Sequence, residues 1–219
     1  MSDSFNIRGG IAGWKVVSAE GTSGGGSFAT HPAGYEPIAQ VEGGLLVQQS
    51  PEGPIRMWKT SADGSGEFTT TIAPHGRVAD ARGDLLAWID DGACGVVACP
   101  LHVTRISTQV DRLVEAPPGS EGFLFGGAFS PDGGYLAAYA AFPPETDVQQ
   151  RLAVIDLGSM TSTVAGPVPA SQSQAAVWTP DGAWVFFCGF PGPLRAFRPL
   201  DHRLFDVGEP AACPYFAVF

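Results

Sequence analysis

The sequence predicts an all-β fold, a single β-propeller, and three observations carry that prediction. First, 29 glycines and 19 prolines stand in a chain of 219 residues that is still 44% hydrophobic, a turn-rich globular composition rather than a disordered one. Second, "AFSPDGGYLAAY" at 128–139 is echoed by "VWTPDGAWVFFC" at 177–188, each a tight turn running into an apolar strand. Third, the apolar run after a glycine-bearing turn recurs at Leu45, Leu85, Tyr135 and Trp184, spacings of 40, 50 and 49 residues. A period of that length with several short strands per unit marks blades that cannot bury both faces alone and so ring a central axis.

The units follow in order. In each, a turn ("VEGG", "ARGD", "SPDGG", "TPDGA") joins an inner strand to the apolar run. A third strand follows: "PIRMWKT" from Pro54, "LHVTRI" from Leu101, "RLAVIDL" from Arg151 and "LRAFRPL" from Leu194. A shorter fourth closes the unit: "GEFTTTI" from Gly66, "DRLVEA" from Asp111, "TSTVAG" from Thr161 and "RLFDVG" from Arg203. This gives four-stranded blades at about 36–73, 76–116, 125–168 and 175–208. A fifth is expected from both termini, 7–30 plus 213–219, with "CPYFAVF" as its inner strand. Sharing one blade between head and tail closes the ring and hides sheet edges that invite aggregation.

Within the two best-preserved turns the residues specify backbone. Pro131 and Pro180 preset φ, Asp132 and Asp181 bond the following amides, and Gly133 and Gly182 permit positive φ. These carboxylates are expected to form turns rather than to catalyse. The "FSPDG" and "WTPDG" turns followed by a "LxVIDL"-type strand resemble the repeats of the TolB-like, WD40-like (PD40-type) propeller family. In particular, the chain resembles small actinobacterial members with a "C…CxLHVT" unit. The resemblance covers 76–208 well and 36–73 weakly, and by analogy it implies a scaffold that binds a protein or peptide partner.

Charge narrows the partners. A net charge of −10, from 22 acids against 12 bases, argues against nucleic acid or an anionic membrane surface, which both need a concentrated positive face. No apolar stretch approaches the length of a spanning helix, and the first ten residues lack the layout of a signal peptide. An exported or membrane-anchored natural form is therefore expected to have lost its leader or anchor from this chain.

Of the four cysteines, Cys94 and Cys99 enclose four residues between strand-like segments. They either close a hairpin loop as a disulfide, which favours an extracytoplasmic or envelope-facing location over a cytoplasmic one, or stand as free thiols. A zinc site is disfavoured for want of a second pair, and His102 lies in a strand. Cys188 and Cys213 sit in apolar runs and read as plain buried cysteines. No cofactor or metal is expected.

Nucleophile-elbow, zinc-protease and phosphate-loop motifs are absent. "GTSGGGS" at 21–27 reads as a hairpin loop, Arg82-Gly83-Asp84 as an interior turn, and "DGSGE" at 63–67 as a connection without a calcium ladder. In a propeller the segments leading into the inner strands cross one mouth of the channel. That geometry predicts a ligand-binding set of His31, Tyr35, His75, Arg77, Glu121, Gln172 and Gln174. The same groups would also serve merely to solvate the channel. Two longer connections, 90–100 and 142–150, are expected on one face, opposite to the turns, where long loops carry partner contacts.

The expected function is a non-enzymatic, monomeric scaffold for a protein or peptide partner. The alternative is a binder of a small polar ligand or sugar, or a hydrolase or lyase with its site in the funnel. No catalytic residue is assigned. A glycosidase needs two facing carboxylates, of which only Glu121 is placed at the mouth. The tryptophans share no register and read as core.

Overall fold

The structure is a computed structural model that describes residues 14–17, 23–26, 32–41, 43–49, 53–61, 66–95, 98–143, 150–168, 176–188 and 193–208. Strands β1 (Trp14–Val17) and β2 (Ser23–Gly26) form an antiparallel pair. The first four-stranded sheet runs β3 (Glu36–Val41), β4 (Gly44–Gln48), β5 (Ile55–Thr60), β6 (Gly66–Ala73). The second runs β7 (Arg77–Arg82), β8 (Leu85–Ile89), β9 (Leu101–Arg105), β10 (Val110–Leu113). The third is β11 (Gly122–Phe129), β12 (Tyr135–Ala141), β13 (Gln150–Asp156), β14 (Thr161–Pro167), and the fourth is β15 (Val177–Trp178), β16 (Val185–Cys188), β17 (Leu194–Arg198), β18 (Arg203–Asp206).

Each sheet is an antiparallel meander in chain order. Successive sheets meet through their first strands, β3 against β7, β7 against β11 and β11 against β15, which is the radial order of propeller blades. Three inner strands carry an irregularity in their pairing, with one extra residue at Pro37/Ala39 and at Val78/Asp80 and two at Phe123/Gly127, and such insertions sharpen the local twist.

Burial follows position in the blade. The middle strands are covered on both faces, so β12 and β13 read as near-continuous apolar runs, whereas outer strands β10 and β18 are exposed throughout. Three cores fill the spaces between blades. Leu46, Ile55 and Met57 pack on Leu86 and Trp88 between the first and second blades. Leu101, Phe123, Leu136 and Ile155 lie between the second and third. Tyr139, Leu152, Trp178, Phe187 and Phe197 lie between the third and fourth.

The two Pro-Asp-Gly turns have the same hydrogen bonds. The Ser130 hydroxyl donates to Asp132 Oδ1, which also accepts from the Gly134 amide, while Ser130 Oγ accepts from the Tyr135 amide. Thr179, Asp181, Ala183 and Trp184 repeat the pattern atom for atom. Gly133 and Gly182 both take φ +71°, the conformation their lack of a Cβ permits. These bonds hold both carboxyls below the ordinary carboxylate range, through the hydroxyl first and then the amide. Because a depressed folded-state value makes stability present above the unfolded value of 3.8 and lost as pH falls below it, the turns are acid-labile. The D132N/D181N variant is therefore expected to lose less of its urea midpoint than the wild type between about pH 4 and pH 2. Parallel midpoint-versus-pH curves would contradict this.

Two expectations are corrected. Part of the glycine-rich stretch at 21–27 is not loop: Ser23–Gly26 pairs along its length with Trp14–Val17, since a ladder is made by backbone groups and needs no side chains. Cys188 is not a plain buried thiol but is disulfide-bonded, to a partner outside the described residues.

Candidate functional site

The rim at the start of β7 is built from the backbone outward. Gly76 sits at φ +145°, and a Cβ there would stand 2.5 Å from the Ile89 carbonyl oxygen, so only glycine fits this approach. The buried Gln48 amide donates to the Gly76 carbonyl, tying the segment to the first blade. This anchored turn presents His75 and Arg77 to the loop between β8 and β9. Arg77 Nε donates to both oxygens of Asp91, at 2.8 and 3.0 Å. Asp91 opens a single 3-10 turn, Asp91–Ala93, capped by Asp90, whose Oδ1 accepts from the Gly92 amide at 2.9 Å. The His75 side chain lies beside Gly92, its Cβ and Cδ2 3.8 Å from where a Cβ would be.

The rest of that loop is stapled. Cys94 and Cys99 form a disulfide, and the Gly95 amide donates to the Ala98 carbonyl at 2.8 Å. Cys99 then exchanges two backbone hydrogen bonds with Phe123, at 2.8 and 2.9 Å, which joins the loop to the inner strand of the third blade. Glu121, exposed just before that strand, bonds through its amide to Ala141. His75, Arg77 and Glu121 thus all adjoin segments tied to the one stapled loop.

Tyr35 is placed differently. Its ring lies 4.7 Å from Phe68 on the outermost strand of the first blade, with the Arg56 guanidinium 5.1 Å over Phe68. The Arg56 guanidinium also lies 5.9 Å from the Tyr35 ring, so the cation and the two rings form one cluster. His31, Gln172 and Gln174 lie outside the described residues, as does most of the 142–150 connection.

Inner strands of all four blades line a cavity of about 840 Å³. Its polar side chains include Asp80, Arg82 and Gln40. Asp80 Oδ2 accepts from the Phe129 amide of the next blade at 2.7 Å, and Oδ1 from Ala81 at 2.9 Å. Burial pushes its carboxyl above the ordinary range, against the opposing pull of those amides and of Arg82. Arg82 Nε reaches the Pro131 carbonyl at 3.1 Å, a second link between the same blades. Sequence reasoning missed Asp80. Its one local signal is an acid flanked by alanines in "VADAR", at an inner-strand position.

His102 is locked inside the second blade. Its Nδ1 lies 2.6 Å from Asp111 Oδ2, while Asp111 Oδ1 accepts from Thr104, whose hydroxyl accepts from Trp88 Nε1 at 2.9 Å. The imidazole also stacks on Trp88 at 4.3 Å.

No protein-family model matches the chain, and no curated protein matches it. Among solved structures, it is similar to an oligogalacturonate lyase in complex with manganese, at 12% identity and a TM-score of 0.55 over 88% of this chain and 58% of that one. It is also similar to TolB from Acinetobacter baumannii, at 13% identity and a TM-score of 0.43 over 74% of this chain and 40% of that one. A third neighbour is the β-propeller domain of Cps50 (Swd1) from Myceliophteria thermophila, at 13% identity and a TM-score of 0.48 over 82% of this chain and 57% of that one. The chain thus spans less than two thirds of each of these neighbours. Likeness at such identities concerns the fold alone, and together with the radial sheet order it makes this an all-β, propeller-like chain.

Proposed function

We propose that the chain is a propeller scaffold that binds a protein or peptide partner on the rim around the 90–100 loop, and that it is a monomer belonging with the TolB-like, WD40-like repeats. One observation carries the reading: in the connection between β8 and β9, residues 90–95 and 98–100 are held by a disulfide, a capped turn and a two-bond bridge to the next blade. A loop ordered before binding loses little further entropy when a partner arrives, which is where affinity is gained. Arg77, Asp91, His75 and Glu121 supply mixed charge and hydrogen-bonding capacity around it, suited to a polar peptide and unsuited to a phosphate backbone.

A hydrolase or lyase in the channel is the weaker reading, because Asp80, the acid that lines the channel, spends its oxygens on two backbone amides inside the fold. The disulfide suits an oxidising, extracytoplasmic setting. Among the described residues no helix is long and apolar enough to cross a membrane. The fifth blade, drawn from 7–30 and 213–219, belongs to the same proposal, as do the blade bounds themselves.

A displayed random-peptide library selected on the wild-type chain tests this. Peptides that emerge are expected to lose about tenfold or more in affinity when His75, Arg77 and Glu121 are replaced by Ala together, the loss that one hot-spot contact produces. Peptides that bind the triple variant as well as the wild type would place the partner surface elsewhere.

A further inference from the structure

The 94–99 loop holds the makings of a second staple. One ligand atom each from Asp91, Cys94 and Cys99 lies within 4.8 Å of the others. Cys94 Sγ stands 3.8 Å from Asp91 Oδ1, close to the roughly 3.6 Å that separates a sulfur and an oxygen on one tetrahedral zinc ion. The cysteines enclose four residues, within the spacing of paired zinc ligands. We propose that reduction by a dithiol turns this loop into a zinc site whose protein ligands are Cys94, Cys99 and Asp91.

The redox step balances by thiol–disulfide exchange. A thiolate of the dithiol attacks Cys94 Sγ, the exposed sulfur, the Cys94–Cys99 bond breaks, and Cys99 leaves as a thiolate that takes up a proton. The second thiol of the reagent then displaces Cys94, so that the reagent leaves as a cyclic disulfide and the protein holds two thiols. Zinc binding releases both thiol protons to solvent.

The surroundings suit this chemistry. The sulfurs must part to about 3.8 Å on zinc, and the exposed Cys94 side chain is free to make that rotation while Cys99 stays clamped to Phe123. Arg77 bonds both Asp91 oxygens and so fixes the orientation of the carboxylate. The fourth position falls to water. Oxidised, the loop is closed by sulfur; reduced, it is closed by metal. The partner reading of the rim plays no part in this site.

The test uses the full chain, reduced with dithiothreitol and freed of reagent without air. Zn2+ is titrated against a chromophoric chelator, and Co2+ provides a thiolate charge-transfer band as an independent signature. Reduced wild type is expected to take up one Zn2+ with a dissociation constant of about 1 μM or tighter, and the oxidised chain none. The reduced C94S/C99S variant keeps the other two thiols and controls for them; it should bind no zinc in this range. D91N should weaken binding by more than the roughly 10–100-fold that an outer-sphere loss costs. No uptake by the reduced wild type, equal uptake by C94S/C99S, or an unchanged constant for D91N overturns the assignment.

Discussion

Replacing Phe187 by Ala is expected to cost about 3–5 kcal/mol and to lower the melting temperature by roughly 6–20 °C. The ring is 1% exposed and packs with Trp178 and Phe197 against Tyr139 and Leu152 of the third blade. Its Cζ stands 3.4 Å from the place a Cβ would occupy on Gly166, so the glycine leaves room for the ring and truncation leaves a cavity that neither blade can collapse into. Hydrogen exchange should show protection lost first in β16 and β17, since the fourth blade loses its main contact across the interface. A loss below about 1 kcal/mol would mean that the third and fourth blades are not joined through this ring.

Asp80→Ala is expected to cost about 2–3 kcal/mol by removing the acceptor for two backbone amides, one of them Phe129 in the neighbouring blade. The pH dependence of that cost is the sharper test. Burial raises the folded-state pKa of Asp80 above 3.8, so the folded chain binds the extra proton and the aspartate's contribution declines as pH rises from 3.8 through the folded value. The penalty of Asp80→Ala, read from urea unfolding, should therefore be greater near pH 3.5 than near pH 7. Asp80→Asn keeps one acceptor and should fall between the two. A penalty that grows toward neutral pH would show a carboxylate stabilised, not strained, by its setting.

Much of the architecture was legible because it is local. The Ser130–Asp132–Gly134 turn closes within five residues, between Ser130 and Tyr135, and its copy at Thr179 does the same. Each of the third and fourth strands read from the repeat appears at its place, and the 94–99 disulfide, one of two readings left open, is formed. Of the predicted mouth residues, His75, Arg77 and Glu121 adjoin the stapled loop. The partner of Arg77 was not legible, because Asp91 reaches it only after the chain has crossed β7 and β8 and returned. Tyr35 is a similar case. Its ring meets Phe68, two strands beyond its neighbour in the sheet, a contact that no local pattern gives.

By itself the sequence determined the four-stranded unit and its turns, since both depend on hydrogen bonds and alternation that close within a few residues. Only the tertiary structure decided which polar groups meet. Asp80 finds Phe129 49 residues away, and Trp178 donates to the Ala128 carbonyl 50 residues away. Those pairs form because an irregularity at Val78/Asp80 turns the side chain and the twist of each sheet sets the angle at which the next one arrives. No local pattern encodes that angle; it is the sum of packing across three interblade cores.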